Sequence, residues 1–199
     1  MAGVASRAAG VGARMSDAGA ARPAPPPDTD DVASLVRRAQ RGEVEAYGAL
    51  YERFARYLHG VALAHAPPDE ARDLVQDTFL HGLSRLAMLR DPSAFGAWMA
   101  QITRNMARMK RRKRLTLVDL DDQLPDEREP STEAALDGGA VLAAIRALPE
   151  AYREPLVLRL VEGMSGEEIA ARTGLTHGSV RVNLHRGMAL LRQKLGGAP

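Results

Sequence analysis

The chain has no cysteine, which excludes a disulfide framework, thiolate metal sites and a thiol nucleophile. Aromatic residues are scarce, with three Phe, four Tyr and one Trp making 4% of 199 residues. Strands favour aromatic and β-branched side chains, so this scarcity, beside abundant Ala and Leu, points to helices. No apolar run approaches the roughly 20 residues of a membrane-spanning helix. The expectation is a soluble, cytoplasmic, all-α protein without membrane insertion. Lysine is nearly missing as well. Apart from Lys110, Lys113 and Lys194 the positive side chains are arginines, whose planar fork suits phosphates and base edges.

What is present is distributed unevenly. The 27 Lys and Arg almost cancel the 25 Asp and Glu, for a net charge of +2, but the two signs fall in separate blocks. Residues 1–30 are mostly Ala, Gly, Pro and Arg, ending in Pro23, Pro25, Pro26 and Pro27. They read as a disordered extension, and a start at Met15 would lose no structural element. Helical spacing begins at Asp31 with Val32, Leu35, Val36 and Ala39, and Gly42 breaks it. A longer helix follows, with Tyr47, Leu50, Tyr51, Phe54, Leu58 and Val61 on one face, stopped by Pro67-Pro68. The next opens on Asp69 and Glu70, acids suited to the positive end of a helix dipole. It carries Ala71, Leu74, Val75, Thr78 and Phe79 inward and Asp73, Gln76 and Asp77 on a polar face.

A fourth helix is expected from about Ala94 to Arg114. Phe95, Trp98, Met99, Ile102, Met106 and Met109 form its apolar stripe, with Gln101, Arg104, Arg108 and Arg111 nearly opposite. It ends in Lys110-Arg111-Arg112-Lys113-Arg114, an electrostatic footprint for a nucleic-acid backbone. A basic amphipathic helix also suits a membrane surface, but Trp98 and the stripe read as core. Residues 115–139 are acidic, with Arg128 facing Asp119, Asp121, Asp122, Asp126, Glu127, Glu129, Glu133 and Asp137. They read as a flexible linker between two helical domains, 31–114 and 140–195.

The second domain opens with Val141, Leu142, Ile145 and Leu148. Pro149 restarts the chain, and Leu156, Val157, Leu160 and Val161 give a second apolar face. Pro155 is expected in an irregular first turn and Gly163 at a helix end. Ser165-Gly166-Glu167-Glu168 is a capping box. Gly174 permits a tight turn, Leu175 anchors it, and Thr176 caps a last helix whose buried stripe is Val180, Leu184, Gly187 and Leu191. Ala170, Gly174 and Val180 suit a helix-turn-helix: Ala lets the helices approach, Gly takes the turn, and Val fills the crossing. Arg181, Val182, His185, Arg186 and Ala189 then face away from the core, placed to enter a major groove. Arg181 and Arg186 suit guanine or phosphate. The N–H groups of Gly178 and Ser179 stand where a helix start grips a phosphate.

At this point two sets of residues resemble a known family. Asp73-Leu74-Val75-Gln76-Asp77-Thr78-Phe79-Leu80, Phe95-Gly96-Ala97-Trp98 and Ile102-Thr103-Arg104-Asn105 resemble the second conserved region of bacterial sigma-70 factors. Glu167-Glu168-Ile169-Ala170, Gly178-Ser179-Val180-Arg181 and Leu184-His185-Arg186 resemble their fourth region. The length and order resemble the extracytoplasmic-function group, which keeps only these two domains. The resemblance implies that Asp73, Gln76 and Asp77 bind core RNA polymerase. It implies −10 DNA contacts by Trp98, Arg104, Asn105, Arg108, Arg111 and Arg112, with Asn105 lining a pocket for a flipped base. It implies −35 recognition by Gly178, Ser179, Arg181, Val182, His185 and Arg186. The implied partners are core polymerase, promoter DNA and an anti-sigma factor, with no cofactor. The chain departs from the common pattern at Met109, where many relatives have Asp, and at Arg181-Val182-Asn183 and Gly187-Met188.

Two other classes compete. A dimeric helix-turn-helix regulator explains residues 140–195 but gives the Asp73–Leu80 and Trp98–Arg114 helices no role. An enzyme lacks support, because His59, His65, His81, His177 and His185 are scattered and no Ser/His/Asp set or phosphate loop occurs. Asp73, Asp77 and His81 recur every four residues, yet one face of one helix rarely encloses a metal.

Overall fold

The computed structural model describes residues 31–120 and 138–196. The proline-rich extension and the central acidic stretch, 121–137, lie outside the described residues. Among those described there are eight α-helices and no strand: α1 (Val32–Gln40), α2 (Val44–His65), α3 (Pro68–Arg85), α4 (Phe95–Leu120), α5 (Gly138–Arg146), α6 (Glu150–Leu160), α7 (Gly166–Thr173) and α8 (His177–Lys194).

Local chemistry sets most of these boundaries. Gly42, at φ +90°, ends α1 in a Schellman turn. There Glu43 N–H donates to the Arg38 carbonyl at 3.2 Å and Gly42 N–H to that of Ala39 at 2.9 Å. Pro68 occupies the first turn of α3, with Asp69 and Glu70 beside it. The capping box of α7 forms as expected: Ser165 Oγ accepts from Glu168 N–H at 3.1 Å, and Glu168 Oε2 accepts from Ser165 N–H at 2.7 Å. Gly174, at φ +75°, closes α7, and Thr176 Oγ1 caps α8 by accepting from Ser179 N–H at 3.1 Å.

The first module wraps α1, α3 and α4 around α2. Leu50, Phe54, Leu58 and Val61 of α2 meet Leu74 and Phe79 of α3 and Phe95 and Met99 of α4, all buried. Tyr51, placed on the apolar face by spacing, is 41% exposed and leans on Phe79, ring centroids 4.6 Å apart. Met109 is 69% exposed, contrary to the apolar stripe assigned to it. The buried row of α4 steps through Phe95, Met99, Thr103 and Ala107. At 100° per residue, Met109 lies about 160° from Ala107 and faces solvent.

Four other expectations need correction. α4 continues to Leu120 rather than ending at Arg114, because no Gly or Pro interrupts it before Pro125. With α5 starting at Gly138, residues 115–120 and 138–139 are helical rather than linker. Pro155 sits in the body of α6, not an irregular first turn. Its missing N–H frees the Ala151 carbonyl, and Ala151 is exposed to water, which blunts the usual cost. Leu175 is 38% exposed and anchors the turn only in part.

The second module packs α5, α7 and α8 around α6. Gly187 lets α8 close on α6, since a Cβ there would lie 3.0 Å from Leu156 Cδ1 and 3.1 Å from Tyr152 Cβ. The two modules are not held apart. Their buried apolar side chains form one continuous cluster, with α6 lying directly on α2.

Candidate polymerase and nucleic-acid interfaces

On α3, packing of Leu74, Val75, Thr78 and Phe79 turns the opposite side outward. Asp73 and Gln76 are exposed and Asp77 is half-buried. Asp77 Oδ2 accepts from Lys110 Nζ at 2.9 Å, and Glu70 Oε1 accepts from Arg114 Nη1 at 2.8 Å. The basic end of α4 is therefore laced to the acidic side of α3, a pairing that neither helix reveals alone. Leu80 and Leu83 continue the same face and are 69% and 49% exposed. Sequence reasoning gave them no role, although Leu80 stands i+3 and i+4 from Asp77 and Gln76, and Leu83 stands i+3 from Leu80, which was a readable signal.

Along α4 the expected DNA contacts divide into two sets. Asn105, Arg111 and Arg112 are exposed, with Asn105 Oδ1 accepting from Gln101 Nε2 at 3.0 Å. Trp98 is half-buried beside Phe95, ring centroids 6.2 Å apart. Arg104 and Arg108 are not free. Arg104 grips Glu154 of α6 with both edges of its fork, Nε to Oε1 at 2.6 Å and Nη2 to Oε2 at 2.8 Å. Arg108 Nη2 donates to Glu150 Oε1 at 3.1 Å.

Glu154 is also bonded to His65 Nε2 at 2.8 Å. Burial alone raises the pKa of its carboxyl, but the hydrogen bonds from Arg104 and His65 and the Arg104 charge outweigh it and hold the group at about 2. Tyr57 lies in the same field, and burial pushes its hydroxyl up to about 12. The folded pKa of Glu154 is below its ordinary value of 4.5. Its contribution is therefore complete above that value and is lost as pH falls from about 4.5 towards 2. The size is about 3 kcal/mol for this largely buried group. Denaturant unfolding of the wild type between pH 6 and pH 3 is expected to lose most of that amount relative to Glu154→Gln. Parallel pH profiles would refute the assignment.

On α8 the division of faces is clean. Val180, Gly187 and Leu191 are buried, while Arg181, Val182, His185 and Arg186 project outward. Gly178 and Ser179 are both exposed at the start of the helix. Ser179 N–H is already committed to the Thr176 cap, so of the expected pair only Gly178 has an N–H available to a phosphate. Asp73, Asp77 and His81 do not converge, and among the described residues no group of three His, Asp or Glu could hold a metal ion. No helix among them is long and apolar enough to cross a membrane.

Two helical modules, one ending in a basic helix and the other in an outward-facing helix-turn-helix, with an acidic face on α3, have the build of a DNA-binding protein. Residues 50–115 match the family model for sigma-70 region 2, and residues 138–191 that for sigma-70 region 4. The chain is 32% identical over 189 residues to the ECF RNA polymerase sigma factor BldN of Streptomyces coelicolor, covering 87% of this chain and 69% of that protein. It spans 42% and 52% of the length of two further sigma-factor relatives. Among solved structures it resembles CnrH in complex with the cytosolic domain of CnrY, with TM-score 0.54, 28% identity, and 84% and 98% of the two chains covered. It also resembles the sigma factor RpoE of Bartonella quintana in complex with the anti-sigma factor NepR, with TM-score 0.52, 25% identity, and 77% and 98% covered. The chain belongs to the extracytoplasmic-function group of sigma-70 factors. Such a factor directs RNA polymerase to promoters and is not an enzyme.

Proposed function

We propose that the three surfaces divide the work of promoter recognition. Asp73, Gln76 and Asp77 dock on core polymerase, with Leu80 and Leu83 as apolar ground beside them. Trp98, Arg104, Asn105, Arg108, Arg111 and Arg112 hold the opened −10 element. Unstacking a base costs a few kcal/mol, and Asn105 with the half-buried Trp98 forms the polar and aromatic ground that receives it. Gly178, Ser179, Arg181, Val182, His185 and Arg186 read the −35 duplex. By this reading residues 31–114 and 140–195 are the two working domains, acting in the cytoplasm, and an anti-sigma factor is their natural antagonist. RpoE of Bartonella quintana, a structural neighbour, is bound by one.

The observation that carries the reading is the two-faced α8. Its buried side carries Val180, Gly187 and Leu191, and its outward side carries Arg181 and Arg186, both exposed and without an ion pair among the described residues. The test is reconstitution with core polymerase on fragmented genomic DNA, with sequencing of transcript 5′ ends. The expected result is initiation at sites sharing two upstream motifs. Tight duplex binding by the chain alone, with no association with core polymerase, would instead establish an ordinary helix-turn-helix regulator.

A further inference from the structure

The ion pairs that join the modules share one polarity. In the pairs found between the modules among the described residues, the carboxylates belong to α6 or the turn after it and the cations to the first module. Glu150 pairs with Arg108, and Glu154 with Arg104 and His65. Glu162 takes His59 Nδ1 at 2.8 Å and Arg56 Nε at 3.6 Å. The central pair is withdrawn from water: the side chains of Glu154, Arg104 and His65 are 11%, 22% and 6% exposed. Salt screens such a cluster far less than a surface pair. Between the two ends, Leu158 of α6 fills the space left by Gly60 of α2, where a Cβ would lie 2.6 Å from Leu158 Cδ2. Beyond them Arg172 stacks over Phe54, its guanidinium carbon 4.6 Å from the ring centroid.

We propose that α6 is an autoinhibitory latch, in which Glu154 and Glu150 occupy Arg104 and Arg108 in place of the DNA backbone and hold the free chain closed. The inference rests on the reading of Arg104 and Arg108 as −10 contacts. A carboxylate engaging both edges of a guanidinium uses the geometry by which Arg grips a phosphate, so this edge of Arg104 cannot serve both. The closed arrangement also keeps α8 within one helix layer of α2. Elements centred near −35 and −10 are about 25 base pairs apart, roughly 85 Å along B-form DNA. The modules must therefore part before both elements are read. The 17 residues 121–137 permit this, since their contour reaches at most about 60 Å and the modules add their own dimensions.

The absence of cysteine makes the test direct, because Ser84→Cys and Gln193→Cys supply the only two thiols for a fluorescent donor and acceptor. In the full chain, Glu154→Gln is expected to lower transfer efficiency. It is also expected to tighten binding of a fluorescein-labelled 30-nucleotide single strand of mixed sequence at least fivefold. Glu45→Gln, the same charge change on an exposed residue, should alter that affinity less than twofold. Arg104→Glu combined with Glu154→Arg should restore high transfer efficiency, which a merely damaged fold would not do. If circular dichroism shows Glu154→Gln to be unfolded, Glu150→Gln with Glu162→Gln releases the latch from its two ends, with the same readouts expected. Unchanged transfer efficiency, or DNA binding no tighter than in Glu45→Gln, would overturn the latch. Arg104→Gln with Arg108→Gln in the holoenzyme separates the two readings. Undiminished promoter opening there would refute the −10 assignment, whereas modules that still open on Glu154→Gln would leave their ionic closure standing.

Discussion

Asp73→Lys with Asp77→Lys is expected to remove the chain from core polymerase while leaving it folded. Close charge pairs across protein interfaces have coupling energies of about 1.5–7 kcal/mol. Reversing two such charges turns attraction into repulsion, and a loss of at least about 100-fold in holoenzyme affinity, near 3 kcal/mol, is a conservative expectation. Intramolecular bonding does not predict a comparable loss of stability. Asp73 is exposed, and the Asp77 and Lys110 side chains are 45% and 38% exposed. Such a surface pair contributes at most about 1 kcal/mol.

The two effects can be separated by pairing Asp77→Lys with Lys110→Glu. That variant restores an α3–α4 ion pair with reversed polarity, so its thermal midpoint should return to the wild-type value. Its polymerase affinity should not, because the docking face keeps the wrong sign. Co-elution with core polymerase and a melting curve measure the two properties. Equal recovery of both would mean that the acidic residues of α3 serve the fold and not the partner.

Features governed by neighbours in sequence were legible in advance. The Ser165–Glu168 capping box, the left-handed turns at Gly42 and Gly174 and the Thr176 cap depend on residues three to five apart. The division of α8 into Val180, Gly187 and Leu191 on one side and Arg181, Val182 and Arg186 on the other follows from the helical period. Periodicity failed where the buried row drifted, since Phe95, Met99, Thr103 and Ala107 step by four and leave Met109 in water. A change of composition was also mistaken for a change of structure: charge reverses after Arg114, but the helix continues to Leu120.

Contacts between residues far apart in the chain were not legible. Arg104 and Glu154 are 50 residues apart and His59 and Glu162 are 103 apart. In sequence, Arg104 stood on the basic face of α4 as an expected DNA contact, Glu154 drew no notice, and the histidines looked scattered. Nothing local distinguishes a carboxylate that pairs across a module boundary from one that faces water. Gly60 gave no signal either, because its value lies in the space it leaves for Leu158.

Arg181→Ala with Arg186→Ala is expected to reduce −35-dependent initiation about 100-fold without loosening the helix-turn-helix. Each well-formed guanidinium contact with a base or phosphate is worth about 1–3 kcal/mol, so two together reach that figure. Both side chains are exposed and lie away from Val180, Gly187 and Leu191, which hold α8 in place. The thermal midpoint should therefore stay near that of the wild type. The two singles distinguish base reading from backbone binding. An arginine on a phosphate should lower affinity evenly across sequences and reduce the slope of log affinity against log salt by about 1. One on a guanine should relax preference at a single position and leave the rest of the motif intact. Val182, 42% exposed between them, presents an apolar surface suited to a thymine methyl. Val182→Ser should weaken the thymine preference at one base pair, as measured by selection from a randomised −35 duplex upstream of a fixed −10 element. If all three substitutions left the selected motif and the initiation rate unchanged, α8 would not be the helix that reads the promoter.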